Sequence, residues 1–228
     1  MPEQISIATP DGTMQAYAAQ PASPPRGGIV VLQEIFGVND DMRQTCDWLA
    51  GYGFLAICPD LFWRLEPGVD MKEGSQANWE RGLALYTSYD RDKGVADVAL
   101  AIEAVRGLAG RTGVMGFCLG GLMTFRTAAL HGADAAVAYY GGQTENYVAE
   151  AAGLQSPLMM HLAGEDEYMP REAQLAIRSA LQGRSDVEVH EYAGRRHAFA
   201  RNGGSHYDAQ AATLANERTL RFLLQHLR

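Results

Sequence analysis

The sequence predicts an α/β fold: a single doubly wound, mostly parallel sheet flanked by helices. Three observations predict it. Short apolar runs alternate with stretches of helical periodicity along all 228 residues. The central runs, such as Ile29-Val30-Val31-Leu32, are apolar at consecutive positions. Such strands lie buried between two layers of helices. No linker, internal repeat or low-complexity tract interrupts the alternation, so residues 1–228 read as one domain.

Taken in order, strands are expected near residues 4–7, 14–18, 28–33, 54–58, 113–116, 135–140, 157–163 and 187–192. The first two flank Pro10-Asp11-Gly12, turn chemistry that makes them a hairpin. A helix over 40–52 carries Met42, Cys46 and Leu49 on one face. Another over 90–108 repeats Val95, Val98, Ile102 and Val105 at helical spacing. Helices follow at 170–181 and 208–227, and Leu122-Met123-Thr124-Phe125 lies in one more. Residues 67–78 read as a loop insertion at a substrate rim.

Composition narrows the function classes. Apolar residues make up 47% and charged residues 20%, the balance of a globular chain. Lys plus Arg is 19 against 27 for Asp plus Glu, a net charge of −8. That argues against nucleic acid or an anionic membrane as partner. It also means that an anionic substrate needs a local cluster of arginines. No apolar stretch is long enough to span a bilayer, and Met1-Pro2-Glu3-Gln4 shows no basic and apolar leader. Three scattered cysteines fit reduced thiols in the cytoplasm, without a Cys-x-x-Cys site. Cys46 and Cys58 read as packing residues. No spacing of histidines or carboxylates points to a metal, and no cofactor is expected.

Gly116-Phe117-Cys118-Leu119-Gly120-Gly121 joins an apolar strand to a helix. It reads as a nucleophile elbow, Gly-x-Ser-x-Gly, with cysteine in place of serine. Glycines let strand and helix approach closely, and the thiol projects at a helix N-terminus that favours an anion. The loop after 157–163 reads Gly164-Glu165-Asp166-Glu167, and that after 187–192 holds His197. Nucleophile, acid and histidine then follow the chain order of α/β-hydrolases. His197 takes the proton of Cys118, and Asp166 holds the imidazole tautomer. The competing reading of Asp166 is a turn or N-cap before Pro170, with Glu165 and Glu167 as rival acids facing solvent. His161, inside an apolar strand, reads as a satisfied core histidine, and the other four as surface or helix-end residues.

Glu34 ends a fully apolar strand and points into the crevice. One reading is a strand-end ion pair. The other places it beside Cys118, where an anion raises the thiol pKa and protects it from oxidation. The same loop is expected to give one oxyanion-hole N–H, from Ile35, and Leu119 the other.

These residues together resemble the dienelactone hydrolase family. The matching pieces run from Gln33-Glu34-Ile35-Phe36-Gly37 and Cys58-Pro59-Asp60-Leu61 through the Cys118 elbow to His197-x-Phe199-Ala200-Arg201 and Ala215-Asn216-Glu217-Arg218-Thr219. The resemblance implies an α/β-hydrolase that opens a dienelactone to maleylacetate through Cys118, His197 and Asp166. It implies a monomer and a small lactone or ester substrate that bears a carboxylate. It makes Glu34 the glutamate that contacts the resting thiol and swings away on substrate binding, and Arg201 the carboxylate-binding arginine. The family pattern carries a second arginine on a helix near position 80. Here Trp79 matches it, and Arg81 replaces it only if the helix shifts. A general esterase or thioesterase on the same triad, or a non-catalytic ligand-binding protein, are the alternatives.

Overall fold

Eight strands form one sheet in the computed structural model, which describes residues 3–227. They are β1 (Glu3–Thr9), β2 (Gly12–Ala19), β3 (Gly28–Leu32), β4 (Leu55–Pro59), β5 (Thr112–Phe117), β6 (Ala135–Tyr139), β7 (Leu158–Ala163) and β8 (Val187–Tyr192). Their order across the sheet is β1-β2-β4-β3-β5-β6-β7-β8. The hairpin β1–β2 is antiparallel and β2 joins β4 antiparallel. Every pairing from β4 to β8 is parallel. Met1 and Pro2 of the amino-terminal stretch, and Arg228, lie outside the described residues.

The helices are α1 (Asp40–Gly51), α2 (Gln76–Ser88), α3 (Arg91–Ala109), α4 (Leu119–Leu130), α5 (Arg171–Ala180) and α6 (Ala209–His226), with a 3₁₀ helix at Thr144–Gly153. The period-2 alternation of a strand divides the core in two. Ile29, Val31, Met115 and Val137 pack with Met42, Cys46 and Leu49 of α1 and Phe222 and Leu223 of α6. Val30, Leu32, Val114 and Ala136 pack on the other face with Val98 and Ile102 of α3, Met123 of α4 and Ile177 of α5. β3, β4, β5, β6 and β7 are buried along their whole length. That is why their sequences are apolar at consecutive positions.

The connections position the site. From β3 the chain crosses to β4 on one side, and later returns to place β5 on the other. The strand order therefore reverses at β3, and a crevice opens at the carboxyl ends of β3 and β5. Side chains cap the helices that lead away from it. Asn39 accepts from the Met42 N–H at 3.2 Å, and Asp90 from the Lys93 N–H at 3.0 Å.

Two elements were not expected from periodicity: α2 and the 3₁₀ helix. The supposed loop over 67–78 gives way to α2 at Gln76, where Ser75 accepts from the Asn78 N–H at 3.1 Å. Only Gly82 and Leu85 of α2 are buried, so it lacks the broad apolar face that marks a core helix.

On α3, Ile102 is 1% exposed and Leu108 61%. Ile102→Ala is expected to cost about 2–5 kcal/mol in urea unfolding, and Leu108→Ala less than about 0.5 kcal/mol. Equal losses at the two positions would contradict this packing of α3.

Candidate active site

β5 turns into α4 at Cys118, whose φ of 52° and ψ of −112° few side chains adopt. Glycines enforce that turn. A Cβ on Gly116 would lie 2.3 Å from the Gly120 carbonyl oxygen, and one on Gly120 would lie 2.2 Å from that of Leu32. The Cys118 N–H donates to Tyr139 O at 3.1 Å, and the Gly120 N–H to Gln33 O at 3.0 Å. The elbow is thus tied to the ends of both neighbouring strands. Leu119 is the first residue of α4, so its N–H has no intrahelical acceptor.

His197 comes from the loop after β8 and is 5% exposed. Its Nδ1–H donates to both carboxylate oxygens of Asp166, each at 3.0 Å. Asp166 Oδ1 also accepts the N–H groups of Tyr168 at 2.9 Å and Met169 at 3.2 Å. Asp166 therefore both shapes its own loop and accepts from the imidazole. Glu165 and Glu167 are exposed, and Glu167 pairs with Arg196 at 2.8 Å. Tyr140 and Tyr168 meet the imidazole edge-on, at 5.2 Å and 4.8 Å between ring centroids. Burial opposes charge on His197, but attraction to Cys118 and the hydrogen bond to Asp166 outweigh it. They raise its pKa from 6.5 to about 10. A protonated imidazole beside the Cys118 sulfur is the state this setting favours.

The other thiols and the core histidine sit away from this chemistry. Burial pushes the Cys46 and Cys58 thiols up. His161 bonds Tyr192 Oη and Thr219 Oγ1, each at 2.9 Å, and burial holds it neutral.

Glu34 follows β3 and is 2% exposed, and Arg201 is 7% exposed. The Arg201 Nε–H donates to Glu34 Oε2, so Glu34 is held on Arg201 rather than on the thiol. Glu34 Oε1 is buried without a hydrogen-bond partner. A second carboxylate, Glu73 from the segment before α2, accepts from Arg201 Nη1 at 2.9 Å. The guanidinium also lies 5.1 Å over the Phe36 ring.

Cys118, His197, Arg201 and Ile35 line one cavity of about 120 Å³. Trp79, Leu83 and Tyr86 of α2, with Tyr168, form its apolar wall, and Gln143 contributes a polar patch. That volume is well below the roughly 300–1,000 Å³ of drug-sized sites, so the ligand is small. A larger open groove, lined by Tyr17, Arg26 and Asp47, lies at the amino ends of β3 and β4, away from Cys118 and His197. Arg81 is not brought to the cavity. Two residues turn about 200° around a helix. Trp79 faces the cavity, while Arg81 is half exposed and pairs with Glu66. The α2 wall had a sequence signal, because Trp79, Leu83 and Tyr86 recur at helical spacing. Gln143 and Tyr168 had none.

The model of the dienelactone hydrolase family matches residues 14–227. The chain belongs to the dienelactone hydrolase family. It is accordingly an enzyme, a carboxylic ester hydrolase. It is 38% identical over 225 residues to the carboxymethylenebutenolidase of Pseudomonas putida, covering 97% of this chain and 95% of that one. A protein of Azospirillum brasilense, provisionally named a carboxymethylenebutenolidase, is 44% identical, covering 98% of each chain. The crystal structure of a provisionally named dienelactone hydrolase from Klebsiella pneumoniae matches with a TM-score of 0.86 at 27% identity, covering 99% of this chain and 98% of that one.

The His197 environment has a consequence for stability. Its folded pKa of about 10 lies above the 6.5 of a free imidazole. The stabilisation is therefore complete below about pH 6.5 and fades as pH climbs to about 10. The gap in unfolding free energy between wild type and His197→Gln should narrow over that window. A gap that stays flat would mean that the fold does not hold the imidazole charged.

Proposed function

We propose that the protein hydrolyses a small lactone or ester through Cys118, His197 and Asp166, by way of a thioester acyl-enzyme. The observation that carries this reading is the Asp166–His197 pair beside a thiol held at a strained elbow. His197 carries the proton of the Cys118 thiol, and Sγ attacks the ester carbonyl. The negative oxygen of the tetrahedral intermediate accepts the Ile35 and Leu119 N–H groups. The carbon–oxygen bond of the ring then breaks, and the leaving oxygen takes the proton from His197. Water, deprotonated by His197, attacks the thioester. The acid is released and the thiol regenerated. Where the leaving group is an enolate, as in a dienelactone, it takes its proton from that water instead, and His197 keeps its own until it returns it to the departing Cys118 thiolate.

Arg201 is read as the contact for a substrate carboxylate, and Glu34 as its partner before substrate binds. The unpartnered Oε1 supports this role, because a carboxylate arriving at Arg201 frees Glu34 to move toward Cys118. The whole chain is read as one domain, since its single sheet runs from β1 to β8. Unpaired cysteines support a reducing, cytoplasmic setting. A second reading, a general esterase on the same triad, is favoured by the apolar wall of α2 and by the two carboxylates already on Arg201.

Hydrolysis of cis- and trans-dienelactone and of 4-nitrophenyl acetate, followed by ultraviolet absorbance, tests both readings. Cys118→Ala should lower kcat/KM by on the order of 10³-fold or more on every substrate cleaved. A folded Cys118→Ala protein with wild-type activity sinks the triad. Turnover of the aryl ester alone favours the general esterase.

A further inference from the structure

Arg201 enters the cavity already occupied, with Glu34 on Nε and Glu73 on Nη1. In a chain of net charge −8, one guanidinium shared by two carboxylates is a weak receiver for a third anion. A second polar group lines the same cavity. Gln143 is the residue before the 3₁₀ helix and holds a left-handed backbone, φ 70° and ψ 5°. That conformation is costly for a residue with a side chain, and such strain persists where the surroundings impose it.

The orientation of its amide follows from its partner. Arg91, the first residue of α3, approaches Gln143 with Nη2 at 3.0 Å. A guanidinium only donates. Gln143 must therefore turn Oε1 to Arg91, which leaves its NH₂ group to donate elsewhere. Arg91 also lies 4.7 Å over the ring of Tyr86, another cavity residue. Its Nε is buried without a hydrogen-bond partner, and among the described residues no carboxylate is within ion-pair distance of it. Glu145 acts electrostatically on Tyr86 but does not pair with Arg91. The cavity thus has one cation paired with two carboxylates and, behind Gln143, one that shares the Tyr86 ring with the Glu145 carboxylate but forms no ion pair with it.

We propose that Gln143, held by Arg91, is a specificity-determining contact that donates its amide N–H to the carboxylate of the substrate. It shares that anion with Arg201. In a cavity of about 120 Å³ every lining group is within reach of a molecule that fills it. Arg91 is a positioning residue: its N–H on Oε1 fixes which way the amide points. The inference rests on the ester-hydrolase reading and deepens it to anionic esters.

The test is competition, which works whether or not the anion is turned over. 4-Nitrophenyl acetate serves as the neutral substrate and cis-dienelactone as the carboxylate-bearing competitor. In Gln143→Leu and Arg91→Met, the ratio of the dienelactone Ki to the aryl ester KM should rise on the order of tenfold, as for loss of a hydrogen bond to a charge. Arg91→Lys, which still donates to Oε1, should recover most of the loss. Gln143→Gly relieves the positive φ and keeps the test readable if Gln143→Leu does not fold. Constants that move together, or an unchanged ratio in both variants, overturn the proposal. So does a wild type that dienelactone does not inhibit. Failure of the triad reading shows separately, as aryl esterase activity that survives Cys118→Ala.

Discussion

The approach of α4 to the sheet at Gly116 and Gly120 is the constraint on which the site depends. Helix and strand come so close there that a Cβ on either glycine would collide with backbone. Backbone cannot swing aside as a side-chain tip can, so these positions accept no larger residue without moving the helix. The same closeness holds the turn at Cys118, which lines the cavity, and starts α4 at Leu119, whose N–H as the first of the helix has no intrahelical acceptor.

Strain follows the same geography. Among the described residues, the non-glycine residues with positive φ are Cys118, Tyr140, Gln143 and Ala198. All four lie just beyond the carboxyl ends of β5, β6 or β8. Cys118 and Gln143 line the cavity, Tyr140 packs on His197, and Ala198 follows His197 in the chain. Such conformations persist because the surrounding structure imposes them. The five buried parallel strands supply the rigid frame, and the loops carry the distortion.

Electrostatics inside the site run against the charge of the whole. The chain is acidic, yet two groups near the cavity favour a positive state: His197 between Asp166 and Cys118, and Arg201 between Glu34 and Glu73. Each cation is held by a carboxylate that a different loop delivers. Removing one partner strands a buried charge, which costs more than an exposed pair would gain. Burial of His197, with the ring edges of Tyr140 and Tyr168 against it, strengthens these interactions.

Sequence alone determined the parallel sheet, because buried strands and helical faces write their burial into apolar spacing. All eight expected strands match observed ones, with ends shifted by one or a few residues. Glycine spacing likewise marked the elbow, and loop order marked Asp166 and His197. The helix α2 went unread: it packs few residues into the core, and its one periodic signal, Trp79, Leu83 and Tyr86, faces the cavity instead. Tertiary structure decided what pairing across distant loops decides. Glu34 meets Arg201, 167 positions away in the chain. Glu73 completes that cluster, Trp79 rather than Arg81 turns inward, and Gln143 meets Arg91. Local periodicity records which face of an element is buried. It carries no record of which side chain from another loop will stand opposite.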